Sequence, residues 1–249
     1  VNRTYLYIII AYVVMQLSGL VGPMLIFFIG NSTTDTEPAI MENIAIGYWI
    51  FISFAVNLIV TLLLLQKKKG ILTLPGQPSE PIMVGVWAFA GIFIAFFSQA
   101  IAASIESLIG IEAGSENTAQ IIDLLSYAPI AAFSIAIFGP ILEEIVFRGI
   151  IFGSLYRKFN FFISALLSSV IFAVIHMDFE HLLIYTAMGF AFAFLYVMTK
   201  RIIVPIIAHI AMNTIVVLTQ FVFAEQLQQF IEENAAVFIW LWSWLGGLT

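Results

Sequence analysis

Seven stretches of this chain, at about 5–29, 44–66, 82–108, 127–156, 161–178, 182–199 and 202–223, stay apolar over close to or beyond the ~20 residues a helix needs to cross a bilayer. An eighth, at 235–248, is shorter. Its Trp240, Trp242 and Trp244 suit an aromatic belt at the membrane edge, so it reads as a last span. In hydrocarbon every backbone N–H and C=O must be satisfied by protein, which leaves helices or a closed barrel, and stretches of this length read as helices. The sequence therefore predicts an all-α polytopic membrane protein, a bundle of about eight transmembrane helices around a polar intramembrane cavity. With 62% hydrophobic and 10% charged residues, the composition excludes a soluble domain and gives no footing to a nucleic-acid partner. The chain has no cysteine, which removes disulfides, thiolate metal sites and a cysteine nucleophile. The first segment lacks a small-residue cleavage site and reads as a retained span. Residues 1–249 form one domain in this reading, with a motif core at about 127–223.

The loops set the expected topology. If eight spans alternate, Arg3, Lys67 to Lys69, Arg157 with Lys158, and Lys200 with Arg201 fall on one side, eight of the nine basic residues. The opposite loops, 30–43, 109–126, 179–181 and 224–234 with their flanks, hold eleven acids and no Lys or Arg. Lys and Arg in short loops mark the cytoplasmic face, so both termini are expected in the cytoplasm of a cell-membrane protein. Span 1 carries Gly19, Gly22 and Pro23, which predict a bend, and Gly189 with Ala193 gives span 6 a small-residue face for close helix packing.

The fourth stretch breaks the apolar pattern. Gly139-Pro-Ile-Leu-Glu-Glu-Ile-Val-Phe-Arg148 holds three charges, and an ionisable side chain within a span is a functional-site hypothesis by default. Glu144 and Arg148 are four apart with the acid first, the order that favours an ion pair on one helix face. Glu143 points about 100° away around the helix and is the carboxylate left for chemistry. Pro140 has no N–H, so it is expected to leave the carbonyl of Ala136 without a helical donor and to kink or widen the helix beside Glu143.

Two further spans carry polar residues at helical spacing. Phe172 and His176 are four apart near the end of span 5, and His209 and Asn213 are four apart within span 7, so each pair shares one face. Counting 1.5 Å per residue from the cytoplasmic turns brings Glu143, His176, His209 and Asn213 towards a shared layer. His181, in the short Asp178-Phe-Glu-His loop, reads as solvated. Glu106, Asn57, Gln99 and Gln220 read as interhelical hydrogen bonders outside the site.

On these three motifs, Glu-Glu-x-x-x-Arg, Phe-x-x-x-His and His-x-x-x-Asn, the sequence resembles the CAAX proteases and bacteriocin-processing enzymes known as the CPBP or Abi family. That family includes the type II CAAX prenyl endopeptidases, and the likeness is greatest to small bacterial members of the YdiL type. It centres on roughly 130–220 and implies an intramembrane endopeptidase with an eight-span fold. It also implies roles: Glu143 and His176 activate the attacking water, His209 and Asn213 stabilise the oxyanion, and Glu144 and Arg148 support them. The implied mechanism is glutamic and uses no cofactor. The expected partners are a peptide or membrane-protein substrate and the lipid bilayer, with peptide maturation and bacteriocin immunity as the bacterial roles the resemblance suggests.

The residues leave rivals open. Two His and two Glu also suit a zinc site with an open water position, although no His-Glu-x-x-His is present. Buried acids and histidines also mark ion pathways in carriers. A peptide-binding or immunity protein would grip such a segment without cutting it.

Overall fold

The computed structural model describes residues 3–67, 70, 72–111, 116–223, 226 and 233–234. The stretch at 235–248, expected as an eighth span, lies outside them. The described chain is helical throughout: α1 Arg3–Ser18, α2 Gly22–Thr33, α3 Pro38–Gln66, α4 Pro81–Leu108, α5 Glu116–Tyr127, α6 131–155, α7 Phe161–Ile175, α8 Leu182–Thr199 and α9 Ile203–Val222. By length and hydropathy alone α3, α4, α8 and α9 are long enough to cross a membrane, and α1 with α2 makes a fifth span bent by 41°. The continuous α6 and the shorter apolar α7 fall on the other two stretches expected within the described residues, as helices.

Local sequence explains the ends. Pro38 and Pro81 open α3 and α4, where a missing N–H costs nothing, and Asn160 caps α7 by accepting the Ile163 N–H at 3.0 Å. The bend between α1 and α2 falls at the expected Gly19 to Gly22, and Trp49 of α3 donates to Ser18 Oγ at 3.1 Å beside it.

The segment 109–126, expected as a loop, is a helix from Glu116 onwards. Ile121, Leu124 and Leu125 recur at helical spacing, and Leu124 and Leu125 are buried. That face packs with Ala131, Ala136 and Val217, while Ala128 just beyond α5 meets Gly47 of α3. The expected loop at 30–43 likewise shrinks to four residues between α2 and α3.

Helix α8 packs between α4 and α7. A Cβ built on Gly189 would stand 2.5 Å from Ser169 Oγ and 3.0 Å from its Cα, so the absent side chain is what lets α7 and α8 touch. At one end of the bundle the 72–80 segment folds over α6 and α8. Arg157 Nη2 donates to the Thr73 carbonyl at 3.2 Å, Arg201 Nε to that of Ser79 at 2.6 Å, and the Tyr196 hydroxyl to that of Leu72 at 2.7 Å. The basic residues at 157, 200 and 201 and the loop after Lys67 thus gather at one end, as the charge pattern requires.

Candidate active site

Helix α6 is irregular where the acids sit. It is wound as a π-helix over Ser134–Phe138 and again over Glu144–Phe152, with one α-helical turn, Gly139–Glu143, between them. Such widened turns are rare and recur at functional sites. The first has a local cause. Gly139 donates to the Ser134 carbonyl, five residues back, so the next donor in that register would be the N–H that Pro140 lacks. The carbonyl left over is that of Ile135, rather than of Ala136 as expected for regular α-helical winding. Asn213 fills the gap, its Nδ2 donating to the Ile135 oxygen at 3.1 Å.

The two glutamates occupy different environments. Glu144 is fully buried, with Oε1 3.1 Å from Arg148 Nη1 and 3.0 Å from His209 Nδ1. The Arg148 distance is that of an ion pair, although no Nη N–H of Arg148 is aligned for a hydrogen bond. The guanidinium also rests on aromatic faces, its Cζ 4.2 Å from the Phe172 centroid and 5.3 Å from that of Phe192. Glu143 is 15% exposed, and its Oε2 lies 3.8 Å from His209 Nε2, beyond hydrogen-bond reach. One carboxylate is therefore committed to a buried cation and an imidazole, and the other is reachable.

The imidazoles are oriented through Nδ1. His176 closes the C-terminal end of α7, and its Nδ1 lies 2.7 Å from the Phe172 carbonyl. A carbonyl only accepts, so this nitrogen carries the proton and Nε2 is left with the lone pair in the neutral ring. His209 is buried, stacked on Phe192 at 4.6 Å, and gives Nδ1–H to Glu144. Glu143, His209 and Arg148 lie within electrostatic reach of His176. The structure thus brings Glu144, Arg148 and His209 into contact, sets Glu143 3.8 Å from His209, and leaves His176 within electrostatic reach of them. Asn213 stands one turn further along α9, bound to Ile135.

The Rce1-like type II CAAX prenyl endopeptidases match residues 125–215, a segment containing all six residues of the constellation. The chain is 46% identical over 240 residues to the "Putative membrane peptidase YdiL" of Bacillus subtilis (strain 168), covering 94% of this chain and 95% of that protein. It is 32% identical over 197 residues to the "Membrane-embedded CAAX protease MroQ" of Staphylococcus aureus (strain USA300), covering 76% of this chain and 80% of the relative. The chain belongs to the CAAX protease family. No solved structure matches it. Because the Bacillus match covers nearly the whole chain, membership of the CAAX protease family extends to α1 through α5 as well as to the motif core.

Several residues packed around this cluster were invisible in the sequence. Phe192 stacks on His209, and Tyr185 stacks on His176 with centroids 4.3 Å apart, yet each is one more aromatic in an apolar span. Tyr12 of α1 is buried within the electrostatic reach of Glu143 and Arg148. Ser168 donates to the Phe147 carbonyl at 2.8 Å and supports the second π-helical stretch. His181, expected in solvent, is instead buried and lies 2.8 Å from Glu106, because both face inward where α4 meets the start of α8.

Zinc requires donors within ~2 Å of one point. Among the described residues no group of three or more His, Asp or Glu is gathered in that way. Glu144, one of the four groups a zinc site would draw on, is instead engaged by Arg148 and His209.

Pro140→Ala tests the cause of the widened turn. Restoring an N–H offers the Ile135 carbonyl a backbone donor and frees the Asn213 amide to rotate. The variant is expected to fold at least as well as wild type yet to cleave peptide about tenfold more slowly. An unchanged rate in a folded variant would break the link between the proline and Asn213.

Proposed function

We propose that the chain is an intramembrane endopeptidase in which Glu143 and His176 activate water to hydrolyse a peptide bond. The observation that carries this reading is the division of labour between adjacent carboxylates: Glu144 is tied to Arg148 and His209, while Glu143 is partly exposed and stands 3.8 Å from His209 Nε2, beyond hydrogen-bond reach. In this mechanism water rests between the Glu143 carboxylate and the lone pair of His176 Nε2. As its oxygen attacks the substrate carbonyl, Glu143 takes a proton, which is then delivered to the departing amine as the C–N bond breaks. The products are a carboxylate and an amine, and one water is consumed.

The developing oxyanion is held by His209 Nε2 and by the second N–H of the Asn213 amide, one donor of this kind being worth about 3 kcal/mol. The substrate is a peptide or membrane-protein segment presented at the bilayer. The names of the Bacillus and Staphylococcus relatives, a membrane peptidase and a membrane-embedded CAAX protease, support that class, and peptide maturation or bacteriocin immunity is the cellular role proposed.

The test is hydrolysis by purified protein in liposomes supplied with membrane-derived peptides in heavy-oxygen water. New C-termini each carrying one labelled oxygen are expected. Peptide bound without any new terminus would support a gripping immunity protein, and substrate-driven ion flux in the same liposomes would support a carrier; either would sink the protease reading.

The charge pattern further supports a cytoplasmic 67–69 loop and cytoplasmic termini. Lys67 is exposed at the end of α3 in a chain without cysteine, so Lys67→Cys gives a single label site. It should resist an impermeant thiol reagent on intact cells and react once they are opened. Labelling from outside would reverse the orientation.

A further inference from the structure

The bundle buries another carboxylate away from the Glu143 constellation. Glu106, in the last turn of α4, is 2% exposed, and its oxygens engage three groups. Oε1 accepts the backbone N–H of Leu183 at 3.1 Å and of Ile184 at 3.2 Å, and Oε2 lies 2.8 Å from His181 Nδ1. Leu183 and Ile184 belong to the first turn of α8, whose amides have no intrahelical partner. Such amides are ordinarily capped by the residue just before the helix, but His181 at that position makes no side-chain cap. The cap comes from α4 instead, and as a carboxylate it also faces the positive end of the α8 dipole.

This anchor lies next to the site. The chain leaves His176, turns through Met177 at a left-handed φ of 57°, and returns at His181 to start α8. One residue past the capped amides, Tyr185 stacks on the His176 imidazole at 4.3 Å and 29°, while Phe172 meets that ring edge-on at 4.5 Å. The imidazole is thus held by a bond and a ring from α7 and by a ring from α8. The register of α8 against α7 at this point is set from α4. A neutral side chain would suffice to cap two amides. With three partners, two amides of α8 and the His181 ring before it, the Glu106 carboxyl group is held at more points than a cap requires.

We propose that Glu106 is a positioning residue for His176: by fixing the first turn of α8 it sets the Tyr185 ring against the imidazole and holds Nε2 towards Glu143. The proposal rests on the reading of His176 as the residue that orients the attacking water, and its test includes a measurement that needs no substrate.

The chain has three histidines, so nitrogen-labelled histidine gives three ring systems in a long-range proton–nitrogen NMR spectrum of the whole protein in nanodiscs. Wild type and Tyr185→Phe, which keeps the stacked ring, should show His176 as a single Nδ1–H tautomer. Glu106→Ala and Tyr185→Leu should move the His176 nitrogens towards the averaged values of a mobile ring. On a peptide that wild type cleaves, kcat should fall about tenfold or more with KM little changed. Glu106→Gln, whose amide oxygen can still accept both N–H bonds, should fall between them. A folded Glu106→Ala that melts earlier but keeps the wild-type His176 spectrum would reduce Glu106 to a helix cap and overturn the proposal. If Glu106→Ala does not fold, a wild-type His176 spectrum in Tyr185→Leu overturns it equally. Failure of wild type to cleave any peptide would sink the protease reading, while the spectra would still decide the positioning.

Discussion

Glu143→Gln is expected to abolish cleavage while leaving the fold intact. The substitution keeps the shape of the side chain and its capacity to accept a hydrogen bond, but removes the base. Structurally it breaks little, because Glu143 is partly exposed and its nearest charged neighbour, His209 Nε2, is 3.8 Å away. The melting temperature in detergent should stay close to wild type. The cleavage rate should fall about 10³-fold or more, near the upper range for loss of a positioned general base. His176→Ala should be similarly damaging. Since both groups act on one water, the double variant should be little worse than either single one, as is found for residues that work as a unit. A Glu143→Gln protein that cuts at the wild-type rate would remove the mechanism built on that residue.

Arg148→Ala is expected to do the reverse, costing stability before chemistry. Arg148 is 1% exposed, and Glu144 beside it is fully buried. Removing one member of a buried pair strands the other, typically at about 3–5 kcal/mol, and here the stranded carboxylate also anchors His209. The aromatic contacts of the guanidinium with Phe172 and Phe192 are lost as well. Folded yield and melting temperature should drop well below those of Glu143→Gln. Equal melting of the two variants would show that the adjacent carboxylates do not divide their roles as described.

What the sequence disclosed follows from the solvent in which this chain folds. Polar residues inside apolar spans stand out, so Glu143, Glu144, Arg148, His176, His209 and Asn213 were legible, and the four-residue spacing of Glu144 and Arg148 foretold their ion pair. Apolar length placed seven helical stretches to within a few residues at most ends, four or five of which are long and apolar enough to cross a membrane. The hidden part depends on winding and on contacts far apart in sequence. Pro140 announced a missing donor, but which carbonyl it orphans depends on whether the helix is wound as α or π, which the proline alone does not state. Glu106 and His181 are 75 positions apart, so neither reveals the other, and a histidine in a short polar loop reads as solvated until α4 is seen behind it. Tyr185 and Phe192 are silent for the opposite reason: they are ordinary in composition, and only their placement against the imidazoles gives them a role.

The central claim is that water is activated at Glu143 by protein groups alone, and metal dependence tests it most directly. Purified wild-type protein is treated exhaustively with a strong chelator, its metal content is measured by elemental analysis, and its cleavage rate is compared with untreated protein and with protein resupplied with zinc. The account predicts an unchanged rate in protein free of stoichiometric transition metal. Activity lost with the metal and restored by zinc would contradict it, even with the same residues lining the site.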